Sequence, residues 1–259
     1  MTVYSSKDEL KKIAHYLIAY MKIPYFQDDT IPGKIMEKII AMVRGAEQLS
    51  TYDFVDVVKT GKVGWQVKST KSSTPLTWKR AKIANRNTLI LNSEILDAEK
   101  SLAGCKSLGD AIIDFCNAHA KESFDKFQLD EIGMCRLIIF EDNIAIYYEK
   151  QLCTKTQPEI FQKDDYIWKW SIQKEVVKKE QLTALHGTNI KTKKKAFAWH
   201  GRGENQLHFS GEGSWWPDIE KPTKVGEINF SSDGHAIAFK LSTDKVGWDK
   251  LTEFLIKPS

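Results

Sequence analysis

Residues Asp53–Lys71 read DFVDVVKTGKVGWQVKSTK. Two runs rich in Val, Phe and Trp, 53–59 and 62–69, flank Thr60-Gly61, which is the pattern of strand, tight turn, strand. A two-residue turn at Thr60-Gly61 sets Lys59 against Lys62, Asp56 against Trp65, Val55 against Gln66 and Asp53 against Lys68. Cross-strand partners share a face of a sheet, and successive residues alternate faces. One face then carries Phe54, Val58, Val63, Trp65 and Val67, with Asp56 as its one polar residue. The other gathers Asp53, Gln66 and Lys68 beside Val55 and Val57. Parity therefore favours Asp53 over Asp56 as the functional acid, whereas a bulge or a four-residue turn would shift the register by one.

A carboxylate next to an amide-x-Lys pair is the minimum equipment for Mg²⁺-assisted cleavage of a phosphodiester. An isolated Q-x-K would be an ordinary solvated strand, but the flanks here are informative. Upstream, Pro32-Gly33 opens a stretch whose apolar residues at 35, 36, 39, 40 and 43 form one helical stripe, with Glu37 between them. Downstream, Lys71 to Lys82 reads as a basic loop running into a basic helix start.

This order, a helix with Glu37, a strand with Asp53, then Gln66-Val67-Lys68, resembles the PD-(D/E)XK nuclease superfamily, and within it the type II restriction endonucleases. The likeness covers roughly residues 30 to 90. Tyr52 stands where the family has Pro, and Gln66 stands for the second acid, which removes one negative charge from the metal site. The resemblance implies an α/β (α+β) fold, a mixed central sheet flanked by helices. It implies Mg²⁺ held by Asp53, the Gln66 side-chain oxygen and the Val67 carbonyl. Lys68 would orient or activate the attacking water, and Glu37 would hold a metal-bound water or second ion. It further implies sequence-specific hydrolysis of double-stranded DNA to 5′-phosphate and 3′-hydroxyl ends by a homodimer. A companion DNA methyltransferase in a bacterial or archaeal cytoplasm belongs to the same implication.

The rest of the composition bounds these expectations. At 259 residues the chain fits one large domain, or a core with a substantial subdomain. No apolar run reaches the ~18 residues of a membrane span, and MTVYSSKDELKK lacks the architecture of a signal peptide. Ser6 and Glu9 form a capping box for a helix through about Met21. The four cysteines lack C-x-x-C spacing, which suits reduced thiols and argues against structural zinc.

Net charge is only +4, yet it is unevenly spread. Between Val57 and Ser93 lie eight basic residues and no acidic one; between Tyr166 and Gly203 lie nine basic and two acidic. Charge concentrated this way suits a phosphate backbone. The first zone offers Lys71, Lys79 and Arg80 as phosphate contacts.

Residues 1–150 alternate helices and strands, with a short strand expected at 89–91, a helix over 108–124 and a hairpin of 136–141 with 144–149. These residues read as the catalytic core. Residues 151–259 read as a β-rich DNA-recognition region fused to it, with strands at 166–172, 196–200, 206–210, 225–230 and 236–241 and one helix at 171–185. Within it, 191–216 is the best stretch for reading bases. Lys193, Lys194 and Lys195 supply charge, and His200, Arg202, Asn205, Gln206 and His208 stand among glycines; Arg pairs with guanine, and Asn and Gln with adenine. Two other readings compete: a structure-specific repair or recombination nuclease on the same core, and a non-catalytic DNA-binding protein that has lost its second acid at Gln66.

Overall fold

A computed structural model describes residues 2–23, 30–50, 53–73, 75–171, 183–210, 215, 217–241 and 247. In chain order the elements are α1 (Lys7–Met21), α2 (Gly33–Arg44), β1 (Glu47–Gln48), β2 (Val57–Lys59), β3 (Val63–Lys71), β4 (Leu76–Arg80), α3 (Arg86–Ser93) and α4 (Ala98–Phe127). Then follow β5 (Glu131–Ile139), β6 (Ile144–Thr154), β7 (Tyr166–Trp170), β8 (Leu185–Asn189), β9 (Lys195–His200), β10 (Gln206–Phe209), β11 (Ile228–Phe230) and β12 (Ala236–Lys240). The fold is mixed α and β, with two sheets.

The chain divides into two compact units that interleave in sequence, where the sequence reading places a boundary near residue 150. The first comprises Met1–Thr74, Ser123–Lys155 and Pro217–Ser259; the second comprises Pro75–Glu122 and Thr156–Trp216.

The first unit holds a seven-stranded sheet in the order β1-β2-β3-β5-β6-β12-β11. Only β3 and β5 run parallel; the other neighbours are antiparallel. Parallel neighbours need a long crossover rather than a tight turn, and residues 72–130 supply it. β3 is central, and its residues Val63 to Val67 are buried on both faces, as a strand flanked on each side should be. One face packs Val57, Val63, Trp65, Val67, Leu137 and Tyr147 against Leu10, Ile13 and Leu17 of α1 and Met36 and Ile40 of α2.

Both helices begin as their sequences dictate. Ser6 and Glu9 complete a reciprocal capping box on α1. Pro32 precedes α2, and Gly45 ends it in the left-handed conformation that glycine adopts without steric cost. A buried polar network ties the N-terminal segment to the sheet. Glu149 accepts from Ser5 N at 2.5 Å, Ser5 Oγ at 2.7 Å and Tyr147 Oη at 2.6 Å, while Arg44 donates to Ser5 Oγ at 2.6 Å. Three donors explain how a carboxylate is tolerated there, although burial still pushes its pKa up.

The second unit holds an antiparallel five-stranded sheet in the order β4-β10-β9-β8-β7. Its core is aromatic: Trp78, Phe161, Trp168, Phe197, Trp199 and Phe209 are all buried. The Trp168 indole is seated against Gly187, where an added Cβ would come within 2.8 Å of the ring, and against Gly109 of α4, where it would overlap the ring outright. This makes a sign prediction. At a free helical site Gly→Ala stabilises by about 1 kcal/mol, whereas Gly109→Ala here should destabilise by about 1–3 kcal/mol from overpacking. Urea denaturation decides it; a more stable variant would show that Trp168 yields easily.

Two local expectations change. Residues 89–91 lie in α3, not in a strand, and the basic stretch after Lys71 continues into strand β4 rather than a helix. In both places short apolar runs are equally compatible with either period, and strand pairing decides: β4 finds a partner in β10, which is more than a hundred residues away in sequence. The hairpin β5–β6 forms with Asp142-Asn143 between its strands, as expected. The helix expected at 171–185 falls mostly outside the described residues, and Leu185 begins β8.

Candidate active site

The β2–β3 loop is one residue longer than the sequence suggests. Val57 faces Trp65 and Lys59 faces Val63, so Thr60, Gly61 and Lys62 make the connection. Gly61 takes a positive φ of 73°, and its N–H donates to the Phe127 carbonyl at the last residue of α4, at 3.0 Å. An orphan helix carbonyl thus gains a partner and the longer loop is held. The one-residue shift exchanges the two acids, and this corrects the expected pairing of Asp53 with Lys68.

Asp56, at a bend just before β2, falls next to Gln66. Its backbone N–H donates to Trp65 O at 2.8 Å, and its Oδ2 accepts the Val67 N–H at 2.8 Å. The carboxylate therefore lies against the Q-V-K segment itself. Asp53 instead accepts Lys126 Nζ through both oxygens, at 2.8 and 2.9 Å, in an ion pair at the end of α4.

Lys68 is partly accessible by area, but its ammonium lies deep among protein atoms. That burial pushes its pKa down, opposed by the negative charges of Asp56 and Glu37. Lys68 thus couples electrostatically to both carboxylates. Glu37, buried in the middle of α2, accepts Lys34 Nζ at 2.7 Å and Gln48 Nε2 at 2.9 Å, both through Oε2. Gln66 is 1 % exposed, and among the described residues its Oε1 has no hydrogen-bond partner. A buried amide oxygen without a donor costs free energy unless something else supplies one.

Sequence reasoning missed Lys34, Gln48 and Arg136. Lys34 was accessible to it, since i and i+3 on a helix are neighbours. Gln48 was not, because only the turn after α2 brings it back to Glu37. Arg136 sits beside Lys68 in the parallel β3–β5 register and donates to Tyr148 Oη at 3.4 Å.

The basic residues expected to touch DNA divide between the units. Lys71 is exposed at the end of β3, beside a cavity of about 480 Å³ lined also by Ser72, Ser73, Phe140, Glu141 and Asn143. In the second unit, Arg80 pairs with Glu204 at 3.5 Å, and Asn205 accepts Arg86 at 2.9 Å. Arg202 forms an ion pair with Glu94 and stacks over Trp170. Arg202 and Asn205 are thus engaged in holding their own loops. Lys193, Lys194 and Lys195 are exposed around the β8–β9 turn, and Lys79 is half-buried on β4. The His200 and His208 rings meet at a tilt of 56° with centroids 4.7 Å apart, and Gln206 meets His208 at 3.1 Å.

All four cysteines are buried and free, and burial pushes Cys116 and Cys153 up to about 12. A thiol held protonated this way is a poor nucleophile or metal ligand. Among the described residues no three His, Cys, Asp or Glu side chains converge as a metal cage, and no helix is long and apolar enough to cross a membrane. The fold and site define a mixed α/β protein with a two-carboxylate, one-lysine cluster. Comparison with protein families, curated proteins and solved structures gave no match.

Proposed function

We propose that the chain is a Mg²⁺-dependent endonuclease that cuts double-stranded DNA at specific sequences, with Asp56 rather than Asp53 as its strand acid. The observation that carries this reading is the meeting of Asp56, at the bend leading into β2, with the Gln66-Val67-Lys68 segment of β3, with Lys68 sensing Glu37 from α2 as well. The order of elements supports it: helix, antiparallel strands, then a crossover through α4 to a strand parallel to β3. That is the arrangement expected of a PD-(D/E)XK core.

The donors suit Mg²⁺, which prefers a few oxygen ligands and keeps several waters. Asp56 contributes a carboxylate, Gln66 the amide oxygen that has no partner among the described residues, and Val67 its carbonyl. With one acid replaced by an amide, this is a site for few protein ligands. When bound, Mg²⁺ supplies positive charge against the phosphate and acidifies a water.

The chain's own residues do the rest. Lys68, its pKa lowered by burial, accepts a proton from the attacking water more readily near neutral pH than an ordinary lysine does. While protonated, it offsets the charge that develops on the phosphate. The hydrogen bond from Val67 N–H fixes the Asp56 carboxylate against β3, so its donor geometry is set before substrate arrives. Glu37 is held by Lys34 and Gln48 and keeps a negative charge facing the Lys68 ammonium. The same reading carries with it a homodimer on a palindromic site and a companion methyltransferase protecting host DNA.

The test is digestion of a plasmid of known sequence with and without Mg²⁺, followed by end mapping. Discrete bands with 5′-phosphate and 3′-hydroxyl ends are expected. Nicking confined to branched or looped DNA would favour the repair-nuclease reading. DNA binding without any cut would favour a binding protein inactivated at Gln66.

A further inference from the structure

The five-stranded sheet of the second unit has two unlike faces. The register places Trp168, Gly187, Phe197, Phe209 and Leu76 in one row across all five strands, facing the aromatic core. One residue along, on the opposite face, the row is Lys169, His186, Ala198, His208 and Thr77. The next row on that face holds His200, Gln206 and Arg80. Three histidines on three adjacent strands thus share one open face, half-buried, among exposed Lys169, Thr77 and Arg80, with exposed Lys195 near enough to act on all three rings.

We propose that this open sheet face is a contact surface for the backbone of duplex DNA, and that protonation of His186, His200 and His208 strengthens its grip. The inference rests on the nuclease reading for the choice of partner, but not for the surface itself.

Two observations favour the duplex backbone. Three of the five strands bring a cation to this face: Lys169 from β7, Lys195 from β9, which acts on all three rings, and Arg80 from β4. Glu204, an acid in the loop before β10, is taken up by Arg80 at 3.5 Å and Gln206 at 2.8 Å. Furthermore, among the described residues the face has no stacking platform: the aromatic residues of β7, β9 and β10 in these rows point to the core. Single-stranded nucleic acid is held largely by stacking on exposed aromatics, whereas a duplex is held by cations and hydrogen-bond donors on phosphate.

The sign of the pH effect follows. Burial, then Lys195 and the neighbouring histidines, hold the three rings below the ordinary imidazole value of 6.5. They are therefore largely neutral at about pH 7.5 and gain charge as pH falls through their lowered pKa range. A polyanion on the face favours the charged form, so binding and protonation reinforce each other.

The experiment is fluorescence anisotropy with a short duplex in EDTA, where no cleavage interferes, at about pH 5.5 and about pH 7.5 across a salt series. Wild-type protein should bind about 10-fold or more tightly at the lower pH, with a steeper dependence on salt, roughly 0.9 per added contact. His186→Gln/His200→Gln/His208→Gln should lose that pH difference and keep its thermal melt, while Lys169→Ala/Lys195→Ala should weaken binding at both pH values. The inference is overturned if the triple variant keeps the full pH difference, if the lysine variant binds as wild type, or if a single-stranded oligonucleotide binds as tightly as the duplex. Its failure is distinct from failure of the nuclease reading. Site-specific Mg²⁺ cleavage with unaffected variants sinks this surface alone, and pH-dependent duplex binding without cleavage sinks the nuclease alone.

Discussion

Asp56→Ala is expected to reduce Mg²⁺-dependent cleavage by at least about 10²–10³-fold, while Asp53→Ala cleaves at close to the wild-type rate. The difference comes from the one-residue register shift. Asp56 lies against the Gln66-Val67-Lys68 segment, whereas Asp53 accepts Lys126 away from it. Losing the Asp53–Lys126 pair, whose lysine is half exposed, should cost no more than about 1 kcal/mol. Asp56→Ala also orphans the Val67 N–H, at roughly 1–3 kcal/mol. Asp56→Asn keeps an acceptor for that N–H and removes the charge, so it separates chemistry from folding. Plasmid-cleavage kinetics beside thermal melts read both effects. Cleavage by Asp56→Asn and Asp56→Ala at wild-type rates, with Asp53→Ala dead, would overturn the assignment.

Lys68→Met should lower the rate by on the order of 10²-fold or more without lowering Tm. A buried ammonium costs desolvation free energy, and a thioether of similar length does not. The pH dependence of stability gives an independent reading. Because burial lowers the Lys68 pKa, the folded chain binds fewer protons than the unfolded chain between that lowered value and 10.5. Wild-type stability should therefore rise with pH through that window, and is lost again as pH falls through the lowered pKa. In Lys68→Met that contribution disappears. An active Lys68→Met enzyme would reduce Q-x-K to an ordinary strand. A variant with clearly lower Tm would show that the charge pairs of Lys68 with Asp56 and Glu37 outweigh its burial.

Much of the architecture was legible in the residues because it rests on local signals. Ser6 with Glu9 marks the start of α1, Pro32-Gly33 and the apolar stripe mark α2, and Asp142-Asn143 marks the β5–β6 turn. Glu37, Gln66 and Lys68 could be named as a group because a helix and a hairpin so close in sequence have few ways to pack. Base-reading residues were less legible. Arg202 and Asn205 have the right chemistry, but Glu94, Trp170 and Arg86 engage them, and Glu94 and Arg86 come from segments more than a hundred residues away.

By itself the sequence determined most of the elements, the alternation of buried and exposed positions within them, and the residue types available for chemistry. These depend on φ/ψ preference and hydrophobic period over a few residues. Register, strand order and pairing between distant segments were decided only by tertiary structure. The Gly61 N–H is drawn to the Phe127 carbonyl, the loop gains one residue, and Asp56 replaces Asp53 beside Gln66. Likewise, His186, His200 and His208 share a face only because β8, β9 and β10 are neighbours in one sheet. The side-chain period of a strand is two, so a one-residue change in the loop held by a distant helix end decides which carboxylate meets the lysine.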